Sequence, residues 1–148
     1  MTAQQLRTLI QQTLQPLNLY SPGVEELLCM TCAQESALGK YRVQMGGGPA
    51  LGIFQMEPKT HDDIWDNFLK YRPSLVGAIT RDVSRLENND EYAIFMARCQ
   101  YLRAPEAVPA ADDVEGLWTL YKKRYNTPLG AATHDEVINN YNTLILGE

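Results

Sequence analysis

Glu35 is the residue in this 148-residue chain best placed to do chemistry. It follows a segment, Pro22 to Gln34, whose pattern predicts a helix. Ser21 is a good N-cap, Pro22 suits the first helical position, and Glu25 and Glu26 favour the positive helix start. Val24, Leu27, Leu28 and Thr31 recur at helical spacing, and Glu35 continues the same apolar face beyond Leu28 and Thr31. Burial and the negative end of the helix both disfavour a charged carboxylate, so both raise its pKa. A carboxyl that keeps its proton near neutral pH is what a general acid must be. A glutamate near a helix end is more commonly a solvated side chain, so its meaning depends on its surroundings.

The other reactive residue types form weaker patterns. Cys29 and Cys32 make a C-x-x-C, but no βαβ context or second ligand pair accompanies it. Three cysteines cannot all pair within one chain, which argues against a disulfide scaffold and fits a reducing compartment of synthesis. They read as small apolar residues of a packed helix. His61 and His134 are too few for a metal cluster, and no metal or cofactor is expected. Gly46-Gly47-Gly48-Pro49 lacks the lysine and hydroxyl of a phosphate-binding loop, and its glycines instead suit close approach of backbone to a bulky ligand. The net charge of −5 is the wrong sign for nucleic acid, and no apolar run is long enough to span a bilayer. The N-terminus lacks the charged and apolar regions of a signal peptide, so synthesis in the cytoplasm is expected.

The elements that must position Glu35 follow from periodicity. Thr2 to Leu14 reads as a helix with a Thr2/Gln5 capping box and is ended by Pro16. After Glu35 the helical pattern dissolves. Tyr41 to Gln44 alternates weakly, as a short strand would, and Leu51 to Met56 is a short apolar piece. Thr60, with Asp63, is expected to cap a helix with Ile64, Trp65, Phe68 and Leu69 on one side, broken at Arg72-Pro73. Ser74 to Leu86 reads as another, through Leu75, Ile79, Val83 and Leu86. Asn88 to Asp90 is a turn and cap before a core helix carrying Tyr92, Phe95, Met96, Cys99 and Leu102. Asp112 or Asp113 caps the next, with Val114, Leu117, Trp118, Tyr121 and Tyr125 on one face. Thr133 with Glu136 caps the last, with Val137, Tyr141, Leu144 and Ile145. The expectation is a single mainly α domain over residues 1–148, of about seven helices, with a small irregular or β segment between Glu35 and Pro58.

These residues together resemble a known family. Glu35-Ser36, followed by Gly52-Ile53-Phe54-Gln55-Met56-Glu57-Pro58-Lys59-Thr60, resembles the signature of soluble lytic transglycosylases and goose-type lysozymes. The Asn89 to Leu102 helix, ending Gln100-Tyr101-Leu102, is similar to a later core helix of that family. Tyr125-Asn126 resembles its Tyr-Asn motif, and Thr127-Pro128-Leu129-Gly130 gives the combination the look of bacteriophage members. The resemblance spans roughly Ser21 to Thr133. The chain departs from it at Gly46 to Ala50, where many members carry Ser-x-x-Gly-Ala, and at Thr127-Pro128, where Ala-Gly usually follows Tyr-Asn. A second Tyr-Asn, Tyr141-Asn142, lies in the last helix.

The resemblance implies a lysozyme-like α+β fold and cleavage of the β-1,4 bond between N-acetylmuramic acid and N-acetylglucosamine in bacterial peptidoglycan. Glu35 would be the general acid and base. Ser36, Phe54, Gln55, Tyr125 and Asn126 would bind substrate, with Gln55 hydrogen bonding an acetamido or hydroxyl group and Tyr125 orienting Glu35. Ser36 alternatively caps backbone groups, Phe54 alternatively faces the core, Gln55 is alternatively a structural amide satisfying the loop backbone, and Tyr125 is alternatively a core tyrosine. Glycosidases that work through two carboxylates need a second acid, for which Glu57, Asp62 and Asp63 are the candidates. Action would be at the cell wall, in the periplasm, after delivery by a holin or a virion. Neither nucleic acid nor membrane is an expected partner. The rival expectations are a non-catalytic wall-binding or virion structural module on the same fold, and a helical adaptor without sugar chemistry.

Overall fold

Five of the helices begin where a side-chain oxygen accepts from the backbone N–H three residues on. Thr2 accepts from Gln5, and the Gln5 side chain returns the bond to the Thr2 backbone. Ser21, Asn89, Asp113 and Thr133 likewise accept from Val24, Tyr92, Gly116 and Glu136. The computed structural model describes residues 1–44, 46–127 and 129–148. Pro128 of the Thr127 to Gly130 run therefore lies outside the described residues. Among them eight α-helices form: α1 (Ala3–Leu14), α2 (Pro22–Ser36), α3 (Pro58–Asn67), α4 (Pro73–Val76), α5 (Arg85–Asn88), α6 (Asp90–Leu102), α7 (Val114–Tyr121) and α8 (His134–Tyr141). The protein is mainly helical, and β structure among the described residues is limited to isolated bridges. Among the described residues no helix is long and apolar enough to cross a membrane.

Two helices form the centre. α2 is buried on nearly every side from Gly23 to Ala33, and α6 from Tyr92 to Ala97 and at Cys99 and Tyr101. Helices that are apolar all round belong in the interior. α2 packs against α1, α6, α7 and α8. α1 adds Leu6, Ile10 and Leu14, α7 adds Leu117, Leu120 and Tyr121, and α8 adds Val137 and Tyr141. Cys29, Cys32 and Cys99 are free and fully buried. Burial pushes the Cys32 and Cys99 thiols up to about 12, so they stay protonated and unreactive.

Three expectations about elements are corrected. Glu57, not Thr60, occupies the cap position of α3, with Pro58 in its first turn, where a missing N–H costs nothing. Asp63 is drawn instead into an ion pair with Arg103 at 2.5 Å. The helix expected from Ser74 to Leu86 is two single turns, α4 and α5, separated at Gly77, whose φ of +53° no helix can contain. Tyr41 to Gln44 makes no strand, only a bridge from Val43 to Leu51. Glu25 and Glu26 do more than favour a helix start: both carboxylates bond the Arg7 guanidinium, joining α1 to α2.

Candidate active site

Glu35 occupies the last turn of α2, half-buried, at the wall of an open cleft of about 700 Å³. The helix closes behind it through two consecutive left-handed residues, Ala37 at φ +50° and Leu38 at φ +60°. Gln55 at φ +48° and Thr127 at φ +74° complete a set of strained non-glycine residues around the same groove. Backbone strain of this kind persists only where the surroundings enforce it, and it concentrates at functional sites.

Burial is the main force on the Glu35 carboxyl and pushes its pKa up to about 7. One hydrogen bond opposes it: the Tyr121 hydroxyl, on α7, donates to Oε2 of Glu35. That is the only partner Glu35 has among the described residues. The other carboxyl oxygen has no hydrogen-bond partner among the described residues. The neighbouring Gln34 ties the end of α2 to α8, donating to Glu136 at 2.5 Å and accepting from Asn140 at 2.8 Å.

The roles expected of the other site residues are redistributed. Tyr125 lines the cleft but does not orient Glu35; its hydroxyl donates to the Phe54 carbonyl at 2.7 Å, and Tyr121 takes the orienting role one helical turn earlier. Ser36 does not line the cleft. It is buried, its hydroxyl donates to the Ile53 carbonyl at 2.7 Å, and it accepts from the Gly39 N–H at 2.9 Å, so it braces the loop against the helix. Phe54 does not line the cleft either; its ring is buried in the core. Gln55 lines the cleft, yet its amide nitrogen is committed to the Arg42 and Gly52 carbonyls, both at 2.9 Å. Asn126 lines the cleft, with its carbonyl oxygen accepting from Lys122 at 2.8 Å.

The three candidate second acids are also separated. Glu57 lines the cleft with Glu35; its backbone carbonyl accepts from the His61 N–H at 3.0 Å, and its carboxylate makes no hydrogen bond or ion pair among the described residues. Asp62 and Asp63 lie farther along the surface and face Arg81 and Arg103. These pairings hold both carboxyls below their usual range, with the His61 bond acting first for Asp62 and the Arg103 bond for Asp63. Among the described residues no group of three or more His, Cys, Asp or Glu side chains is arranged to hold a metal ion.

The cleft continues beyond Glu35. Gln55, Glu57, Tyr125 and Asn126 are shared with an adjoining hollow of about 320 Å³ that also takes in Thr60, Gln100 and Arg103. Glu57, Thr60 and Arg103 in turn border a third, of about 700 Å³, reaching Asn67. The cleft and the two hollows thus share lining residues in series. Comparison with protein-family models, curated proteins and solved structures gave no match for the chain.

Proposed function

We propose that this protein is a peptidoglycan-cleaving glycosidase, a lytic transglycosylase or lysozyme, in which Glu35 protonates the leaving oxygen of the β-1,4 bond between N-acetylmuramic acid and N-acetylglucosamine. What carries the reading is a largely buried carboxyl that lines an open cleft and is hydrogen-bonded by Tyr121, its pKa pushed up to about 7 by burial. An open cleft whose lining residues continue into two further hollows suits a chain of sugars running past Glu35. Its polar lining suits hydroxyl and acetamido groups. After protonating the leaving group, Glu35 becomes a carboxylate able to act as base. In a transglycosylase it takes the proton of the muramic acid 6-hydroxyl as the anhydro ring closes. In a lysozyme it activates water, and Glu57 is the carboxylate in the same cleft that could assist. Delivery to the wall would be by a holin or as part of a virion.

Mass spectrometry of soluble fragments released from purified peptidoglycan tests this. Fragments ending in 1,6-anhydro-muramic acid identify a transglycosylase, and reducing ends identify a hydrolase. Glu35→Gln should lower the rate by roughly 10²–10⁴-fold while the protein stays folded. A folded Glu35→Gln variant that cleaves at the full rate would refute the mechanism. Sacculus binding without released fragments would replace the enzyme with a binding module.

A further inference from the structure

The cleft presents two aromatic side chains, Tyr41 and Tyr125. The ring of Tyr125 is already engaged. It stacks on Tyr101 at 5.5 Å between ring centres and 27° between planes, and on Tyr121 at 6.2 Å and 18°. Tyr41 differs in each respect. Its side of the cleft is the irregular segment after α2, it is 41 % exposed, and no other aromatic ring stacks on it among the described residues. Its position is nevertheless fixed relative to Glu35, because its backbone N–H donates to the Ser36 carbonyl at 3.0 Å and closes the end of α2. The Lys40 ammonium lies 5.3 Å from its ring centre, on the side chain next in sequence.

A pyranose ring presents polar hydroxyls at its edge and an apolar face of C–H bonds, whose weak positive charge complements the negative face of an aromatic ring. A protein of net charge −5 gains nothing from long-range attraction to an anionic wall polymer, so sugar contacts of this short-range kind must supply affinity. We infer that Tyr41 is the stacking platform for a sugar ring of the glycan, the affinity-determining contact on its side of Glu35. The inference rests on the glycosidase reading above and specifies where one pyranose of the substrate sits. The contact is to the ring face, so it does not need the phenol hydroxyl.

The test uses the full chain carrying Glu35→Gln, which leaves the ligand uncut, and soluble oligosaccharides of alternating N-acetylglucosamine and N-acetylmuramic acid. Calorimetric titration should show binding weakened roughly tenfold by adding Tyr41→Ala, and restored to within about twofold by Tyr41→Phe. Saturation-transfer NMR should show the ring C–H protons of one sugar losing contact with the protein in the alanine variant alone. Thermal unfolding of each variant checks that the fold is intact. Unchanged affinity in Tyr41→Ala overturns the inference and leaves the glycosidase reading standing. Equal loss in Tyr41→Phe overturns it in favour of a hydroxyl contact. If the Glu35→Gln parent binds no oligosaccharide and the native chain cleaves no peptidoglycan, the glycosidase reading falls and the stacking role falls with it.

Discussion

Glu35 and Tyr121 show how two opposed effects set one proton. Burial raises the carboxyl, and the phenol bond lowers it, leaving a value of about 7. Removing the bond should therefore raise it further. Tyr121→Phe should shift the alkaline limb of the pH–activity curve above that of the native protein and lower the rate at its optimum, measured as turbidity loss of purified sacculi across pH. The same shift makes a statement about stability. The folded protein holds the Glu35 proton at pH values where the unfolded chain, with an ordinary value of 4.5, has lost it. Stability should fall as pH rises from about 4.5 to about 7, at up to roughly 1.4 kcal/mol per pH unit, and level off outside that window. Glu35→Gln should remove that fall, which urea midpoints at pH 4 and pH 8 would reveal. Of this pair, Glu35 was legible because its spacing from Leu28 and Thr31 put a carboxyl on an apolar helix face. Tyr121 was legible only as a core residue, since its partner lies 86 positions away. A buried phenol must find a hydrogen-bond partner, and that rule was the signal available for it.

At the scale of elements, the wall of the cleft depends on a few backbone approaches. Gly52 has φ +78°, and a Cβ there would lie 1.7 Å from the Leu86 carbonyl oxygen of α5. Its N–H donates to the Arg42 carbonyl at 2.7 Å, holding the two sides of the irregular segment together. Gly52→Ala should cost roughly 2–4 kcal/mol, through strain and displacement of α5, measured by chemical denaturation. Lys122 plays a comparable part opposite. Its ammonium donates to Asn126, Gly130 and Ala132, all within 2.9 Å, fastening the turn that follows α7. The sequence marked most helices well, because caps and apolar periodicity are local. It misled between Ser74 and Leu86, where the spacing is helical but Gly77 turns the chain, so that Leu75 reaches the core from the single turn α4 and Ile79 from irregular backbone. Asp82 reinforces the break, accepting from both the backbone and the hydroxyl of Ser84.

The whole molecule is tied together by a charge network that periodicity does not encode. Arg7 of α1 bonds Glu25 and Glu26 of α2. Gln11 and Tyr20 also donate to Glu25, and Tyr141 of α8 donates to Glu26 at 2.6 Å. Burial pushes the Glu25 carboxyl up, but the bonds from Gln11, Arg7 and Tyr20 together outweigh it and hold the carboxyl below its usual range. The stability this contributes is present above the ordinary carboxylate value of 4.5 and is lost as pH falls through the lower folded value. Arg7→Met would leave two largely buried carboxylates without their cation and should cost roughly 3–5 kcal/mol, with the loss shrinking in acid, measured by denaturant midpoints at pH 7 and pH 3. The sequence offered Glu25 and Glu26 only as helix-start charges, because their partners come from three other segments. The same long reach has a consequence during synthesis. Glu35 leaves the ribosome long before Tyr121, so a nascent chain carries the acid without the helix that buries and aims it. Until α7 docks, that glutamate is an ordinary solvated carboxylate, and a growing or truncated chain lacking α7 should be chemically silent toward glycan.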